Sequence, residues 1–288
     1  MKFVSILLIL LFLLPGCTPG PEANLAATTL PVYEFTSRLC EGTGLTVTRL
    51  VTENVSCLHD YTLQVRQMRA IAGADAVILS GAGMEDFLDD ALKNANKTID
   101  ASAGVSLLHT GHHEHEHDHS HDHAWDPHIW LSPENAGIMA DNICKNLCQL
   151  YPAHADTFYS NLTGLLSDLD ALQSYGEQQL AALSCRELIT FHNGFAYLAE
   201  SFDLRILRAM EEESGSEASA AALIELIQLV KRHDIPALFT EINGADAAAS
   251  IVAAETGTEL YLLDMAMAGE SYFEAMYRNI DTLKEALQ

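Results

Sequence analysis

Residues 111–127 read GHHEHEHDHSHDHAWDP. Eight of the thirteen histidines crowd into this part of the chain: His109, His112, His113, His115, His117, His119, His121 and His123. Neutral imidazole is the commonest side-chain metal ligand near pH 7, and zinc, copper and nickel suit it best. Glu114, Glu116, Asp118 and Asp122 are interleaved with the rings and add negative charge. A packed core does not absorb such a run, because every ring would need its own polar partner. The segment therefore reads as a solvated loop with a metal-binding composition. The plainer alternative is a pH-responsive or solvating tract. An engineered tag fits poorly, since the run is internal and patterned sequence flanks it.

Five histidines lie outside the loop: His59, His128, His154, His192 and His233. Three of them share a setting. His59 follows a strand-like segment that ends near Val51, His128 sits in DPHIW, and His192 directly follows the strand-like RELIT. Asp264 ends the strand-like ELYLLD. In open α/β sheets, ligand sites form outside the carboxyl ends of the strands. Two lobes facing each other across a cleft would bring these residues together. Three imidazoles and one carboxylate make a suitable four-coordinate zinc shell. A single histidine after a strand is more often a satisfied polar residue than a ligand. Three in matched positions beside a metal-binding loop favour ligation. Glu241, after the strand-like ALFT, is a weaker ligand candidate on the same argument. His154 follows Pro152 and reads as surface; His233 sits near a helix end, where the dipole favours a cation.

The elements that must position these residues alternate. Residues 45–51 (LTVTRLV) and 76–80 (AVILS) read as strands, with another around 25–30 and a last one at 104–108. Helical patterns fall at 32–40, 63–72 and 86–93 between them. Ser132-Pro133-Glu134 is a strong helix start, and apolar spacing then runs through Leu150. After a break at Pro152, the pattern resumes at Phe158 and continues toward Leu183. About 30 residues at 1.5 Å each would give one helix near 45 Å long. A second alternation follows, with strands at 186–190, 235–240 and 259–263 and helices at 196–201, 218–233, 245–256 and 272–287. The expected fold is α/β: two lobes with mostly parallel sheets joined by one long rigid helix, and a metal site in the cleft between them. The boundaries read as 25–132 for the first lobe (the His-rich loop being 109–125), 133–184 for the linking helix region and 185–288 for the second lobe.

The chain has 288 residues and a formal charge of −25. That balance argues against nucleic acid and anionic membrane surfaces as partners and is compatible with a cation as ligand. Residues 1–16 read as a signal peptide: Lys2, then an apolar run from Phe3 to Leu14, too short to span a bilayer. The run ends Leu-Pro-Gly-Cys, which resembles a bacterial lipobox with Cys17 as the lipidated residue, and 17–24 reads as a tether. The expectation is a monomer outside the cytoplasmic membrane, touching it through the lipid only. Among the other cysteines, Cys40 and Cys57 could pair in such a compartment, and the odd count of five leaves at least one free thiol.

Taken together, HDYTL at His59, the His-rich loop, DPHIWLSPENA at 126–136, FHNGF at His192 and LLD at Asp264 resemble the zinc- and manganese-specific substrate-binding proteins of ABC transporters. The resemblance covers residues 25–287, and DPHIWLSPENA is its most specific piece. It implies two α/β lobes joined by a rigid helix, with His59, His128, His192 and Asp264 as metal ligands. It also implies Zn2+ as the transported ligand, with an ABC permease and its ATPase as partners. Histidine at the third position resembles the zinc members; manganese members commonly carry a carboxylate there, so manganese or iron is the alternative cargo. Some members are described as adhesins, but this chain shows no motif for that. The sequence departs from the family pattern at Cys57-Leu58, where proline usually precedes the first histidine, at Val65-Arg66-Gln67, and at Glu217-Ala218-Ser219. A zinc hydrolase is the reading from another class, with Asp60 or Glu241 as base. It lacks an HExxH motif, and a ligand at Asp264 would close the position that catalytic water needs.

Overall fold

The computed structural model describes residues 23–52, 58, 61–109, 125–210, 219–242, 244 and 247–288. Cys17, Cys57, His59, Asp60, the loop residues His112 to His123, and the acidic run from Glu211 lie outside the described residues.

The first lobe runs β1 (Leu25–Ala27), α1 (Leu30–Leu39), β2 (Val47–Arg49), α2 (Val65–Gly73), β3 (Ala76–Leu79), α3 (Asp89–Leu92) and β4 (Thr98–Asp100). Two helices follow, α4 (Pro133–Leu150) and α5 (Ala155–Gln179). The second lobe runs β5 (Glu187–Thr190), α6 (Ala196–Ser201), β6 (Arg205–Ala209), α7 (Ala220–His233), β7 (Ala237–Glu241), α8 (Ala247–Thr256), β8 (Glu259–Leu263) and α9 (Tyr272–Leu287). Each lobe holds a four-stranded sheet in which every pairing is parallel, ordered β2-β1-β3-β4 and β6-β5-β7-β8. The strand order reverses between β1 and β3 in one sheet and between β5 and β7 in the other. Those two points, at the carboxyl ends of the strands, are where open α/β sheets form ligand crevices.

Alternation along the strands decides what each sheet face meets. Leu25 and Ala27 of β1, Ala76 and Ile78 of β3, and Ala237 and Phe239 of β7 all join one large core. The intervening Ala26 and Val77 pack in a small cluster with Ile71 of α2. Leu238 packs in another with Leu226 and Val230 of α7 and Val252 of α8. The large core draws on both lobes at once, from Phe35 and Trp130 to Tyr197 and Tyr272.

Helix α5 explains part of that continuity. Phe158, Leu162, Leu165, Leu169, Leu172 and Gly176 recur at helical spacing and are its buried face. It packs on α4, α1 and α9. With 25 residues it spans about 37 Å, shorter than the 30-residue expectation. It stops at Gln179, because Leu180 leaves the helix and turns into the core. Hydrogen bonds also cross between the lobes. Trp130 Nε1 donates to Met265 O at 2.8 Å, Tyr272 OH to Trp130 O at 2.8 Å, and Arg49 Nη1 to Gly269 O at 2.7 Å. Tyr272 N donates to Glu34 Oε2 at 2.6 Å.

Two local expectations need correction. The last strand of the first sheet is Thr98–Asp100, not 104–108. Only Ile99 of that edge strand is buried, so its composition does not look like a strand, while Leu107 and Leu108 look apolar but pack on the core outside the sheet. The helix expected at 86–93 is a 3-10 turn, Asp86–Leu88, followed by the single turn α3. Cys40 is a buried thiol whose pKa burial pushes up to about 12, and Cys57, its possible partner, lies outside the described residues.

Candidate metal centre

His128 is held by the chain on both sides. Ahead of it, Asp126 N donates to Leu108 O at 2.8 Å, and His109 and Trp125 form an antiparallel bridge with ring centroids 3.9 Å apart. Tyr197 of α6 seals this stem from the other lobe: its hydroxyl donates to Asp126 O at 3.0 Å and accepts from Leu108 N at 2.9 Å. Behind His128 comes the 3-10 turn Ile129–Leu131, whose Trp130 is tied to Met265. Ser132 then caps α4, its hydroxyl accepting from Asn135 N at 3.3 Å. The imidazole cannot wander far. Its Nδ1 lies 2.8 Å from Asp126 Oδ1, which also accepts from His128 N at 2.9 Å. Asp126 is 2% exposed.

His192 enters from the second lobe, in the turn after β5, where Phe191 N extends the ladder to Phe239 O at 2.8 Å. Its ring centroid lies 5.4 Å from that of His128, with the planes at 82°. Its Nδ1 faces Glu241 Oε1 at 3.6 Å. Glu241 ends β7, so the pair occupies the β5/β7 switch point. Burial pushes the Glu241 carboxyl up to about 8. Gly194 allows this packing: a Cβ there would lie 2.7 Å from Cδ2 and 2.9 Å from Nε2 of His192.

Asp264 follows β8 and is fixed at its backbone by Asn279, which accepts from Asp264 N at 2.8 Å and donates to Asp264 O at 2.7 Å. Both carboxylate oxygens are engaged. Oδ1 accepts from Ala266 N at 2.8 Å, and Oδ2 from the Arg278 guanidinium at 2.6 Å. The structure thus brings His128 and His192 together and leaves Asp264 on an arginine. Among the described residues, no group of three or more His, Cys, Asp or Glu side chains is arranged to hold a metal ion. His109 stays at the loop stem. His154 sits in a 3-10 turn against Phe158, and His233 pairs through Nδ1 with Glu187 Oε2 at 2.9 Å.

Two carboxylates at the centre stand against the Nδ1 sides of the imidazoles. Asp126 was passed over, although its place two residues before His128 was the available signal. Glu241 was weighed as a ligand or base, yet its carboxylate faces the Nδ1 side of His192. The other sheet offers a contrast at its own switch point. Glu85 is buried there, accepting from Thr28 Oγ1 at 2.6 Å, Ser80 N at 2.7 Å and Gly81 N at 2.9 Å. Desolvation pushes its carboxyl up to about 7 against those donors.

Comparison with known proteins agrees with this architecture. A crystal structure of ZnuA superposes with a TM-score of 0.80 at 29% identity, covering 92% of this chain and all of the other. The Zn(II)-bound ZnuA-like domain of Streptococcus pneumoniae AdcA gives 0.76 at 27% identity, covering 92% of this chain and 99% of that one. In sequence, the zinc-binding lipoprotein AdcA of Streptococcus pneumoniae is 31% identical, covering 99% of this chain; the chain spans 61% of that relative's length. A Treponema pallidum protein named for metal binding is 30% identical over 96% of this chain and 93% of its own length. The family model of the periplasmic zinc-uptake complex component A matches residues 25–286, and the chain belongs to that family.

Proposed function

We propose that this chain is the extracytoplasmic binding protein of a zinc ABC importer. It captures Zn2+ in the cleft and hands it to a membrane permease driven by its ATPase. His59, His128, His192 and Asp264 would supply the four ligands, Cys17 would carry the lipid, and the protein would act as a monomer without catalysing a reaction. The carrying observation is the pair of imidazoles from opposite lobes, 5.4 Å apart between ring centres. Two rings bound through nitrogen to one tetrahedral zinc, at about 2.0–2.1 Å each, have centres about 5 Å apart. His128 and His192 therefore stand near the separation that one shared ion requires. Asp264 would complete the shell by sharing or leaving Arg278.

The test is metal content and competitive affinity of the mature chain, wild type beside His192→Ala, with zinc, manganese and copper. The expected result is tight zinc binding that collapses in the variant. Zinc binding that survives His192→Ala unchanged would move the chemistry out of the cleft.

A further inference from the structure

We propose that Asp126 and Glu241 are positioning residues for metal capture: each buried carboxylate holds the Nδ1 side of one cleft imidazole, so that both rings turn Nε2 toward the same ion. The inference rests on the cleft reading above and goes beyond it by naming the groups that aim the ligands.

The geometry is paired. Asp126 Oδ1 lies 2.8 Å from His128 Nδ1, within hydrogen-bond reach, and Glu241 Oε1 faces His192 Nδ1 at 3.6 Å. A neutral imidazole has one N–H, and an acceptor fixed at Nδ1 leaves the Nε2 lone pair for metal. Coordination at Nε2 in turn makes the Nδ1 hydrogen a better donor, so capture and the carboxylate contact reinforce each other.

Burial makes the arrangement costly unless a cation completes it. The remaining oxygens, Asp126 Oδ2 and Glu241 Oε2, are buried and have no hydrogen-bond partner among the described residues. Buried polar oxygens in native folds are normally partnered. Glu85, buried beside the switch point of the other sheet, has three donors on its two oxygens. Glu241 has no such set, and the positive charge of a dication held by His192 would supply the compensation. Gly244 leaves room for its side chain, since a Cβ there would come within 2.4 Å of Glu241 Cγ.

The test uses the mature chain with Glu241→Met, which keeps length and removes the acceptor, and Glu241→Gln, which keeps an acceptor oxygen. Zinc affinity is read by chelator competition, geometry by the visible spectrum of the cobalt-loaded protein, and folding by the thermal midpoint without metal. The expected loss for Glu241→Met is about 10- to 100-fold in zinc affinity. It should come with an altered cobalt band and no fall in the metal-free midpoint, and Glu241→Gln should recover most of the affinity. Wild-type affinity and spectrum in Glu241→Met would overturn the assignment, as would a Gln variant no better than Met. Imidazole nitrogen NMR of the zinc-loaded wild type decides the matter independently of variant folding: both cleft rings should be coordinated through Nε2 and protonated at Nδ1. Coordination through Nδ1 would refute the proposal. If His192→Ala loses zinc while Glu241→Met does not, only this inference fails; if His192→Ala keeps zinc, the cleft reading itself fails.

Discussion

Replacing Gly194 by alanine is a one-carbon test of the cleft. The added Cβ would stand 2.7 Å from Cδ2 and 2.9 Å from Nε2 of His192, and 2.5 Å from Met265 Cε. Comfortable contacts between such atoms begin at about 3.5 Å. The methionine end can swing away, but the imidazole is confined by Glu241 and by the His128 ring. The ring must therefore retreat by roughly 0.8 Å, whereas a zinc ligand tolerates displacement of about 0.2 Å. Alanine is a better chain former than glycine, and the backbone here does not need a positive φ. Overpacking should cost stability about 1–3 kcal/mol at most. The expected outcome is a fall in zinc affinity of about 10- to 100-fold, comparable with loss of a supporting contact, in a variant that still unfolds cooperatively. Chelator competition and a denaturant titration measure the two effects separately. Zinc affinity within about twofold of wild type would refute the reasoning, because it would mean that the His192 ring does not need its observed position.

Arg278→Gln frees Asp264 Oδ2, whose exposed ion pair is worth about 0.2–1 kcal/mol, so zinc should bind up to about fivefold more tightly; weaker binding by chelator competition would contradict Asp264 as a ligand. Trp130→Phe removes the donor to Met265 O and should destabilise the chain by about 1–3 kcal/mol in urea, an unchanged midpoint being the adverse result. Glu85 has a folded pKa raised to about 7 from an ordinary 4.5, so over that window the folded state holds the proton and the unfolded state sheds it. Stability should fall as pH rises from about 4.5 to 7, by an amount on the order of 3 kcal/mol. Urea titrations at both ends of the window should show a shallower fall in Glu85→Gln, and identical pH slopes would contradict this.

Much of the site's frame was readable because local chemistry dictates it. Ser132-Pro133-Glu134 announces the start of α4 whatever surrounds it, and β5 and β8 are apolar enough to mark where His192 and Asp264 emerge. What escaped was decided at a distance. Strand β4 owes its place to backbone pairing with β3, not to its polar side chains. The pairing of Glu241 with His192 depends on which way two turns face once the sheet has twisted and packed, and no spacing in the sequence encodes that, whereas Asp126 stands only two residues before His128. Asp264 illustrates the same limit: its position was legible, but Arg278 reaches it from α9, a partner set by tertiary packing.

The core shared between the lobes bears on how the chain is made. Residues leave the ribosome in order, so the first sheet emerges long before α9. Until then Phe35 lacks the edge-to-face contact with Tyr272, at 5.0 Å between ring centroids, that belongs to the finished protein. Trp130 likewise waits for Met265, the acceptor of its indole hydrogen. The first half alone would present an apolar surface with nothing to cover it. Cutting the gene between the two sheets should therefore yield two sticky fragments, not two small binding domains, even though each carries a complete four-stranded sheet. Nascent chains would need shielding until helix Tyr272–Leu287 has emerged and covered the core that the two sheets share.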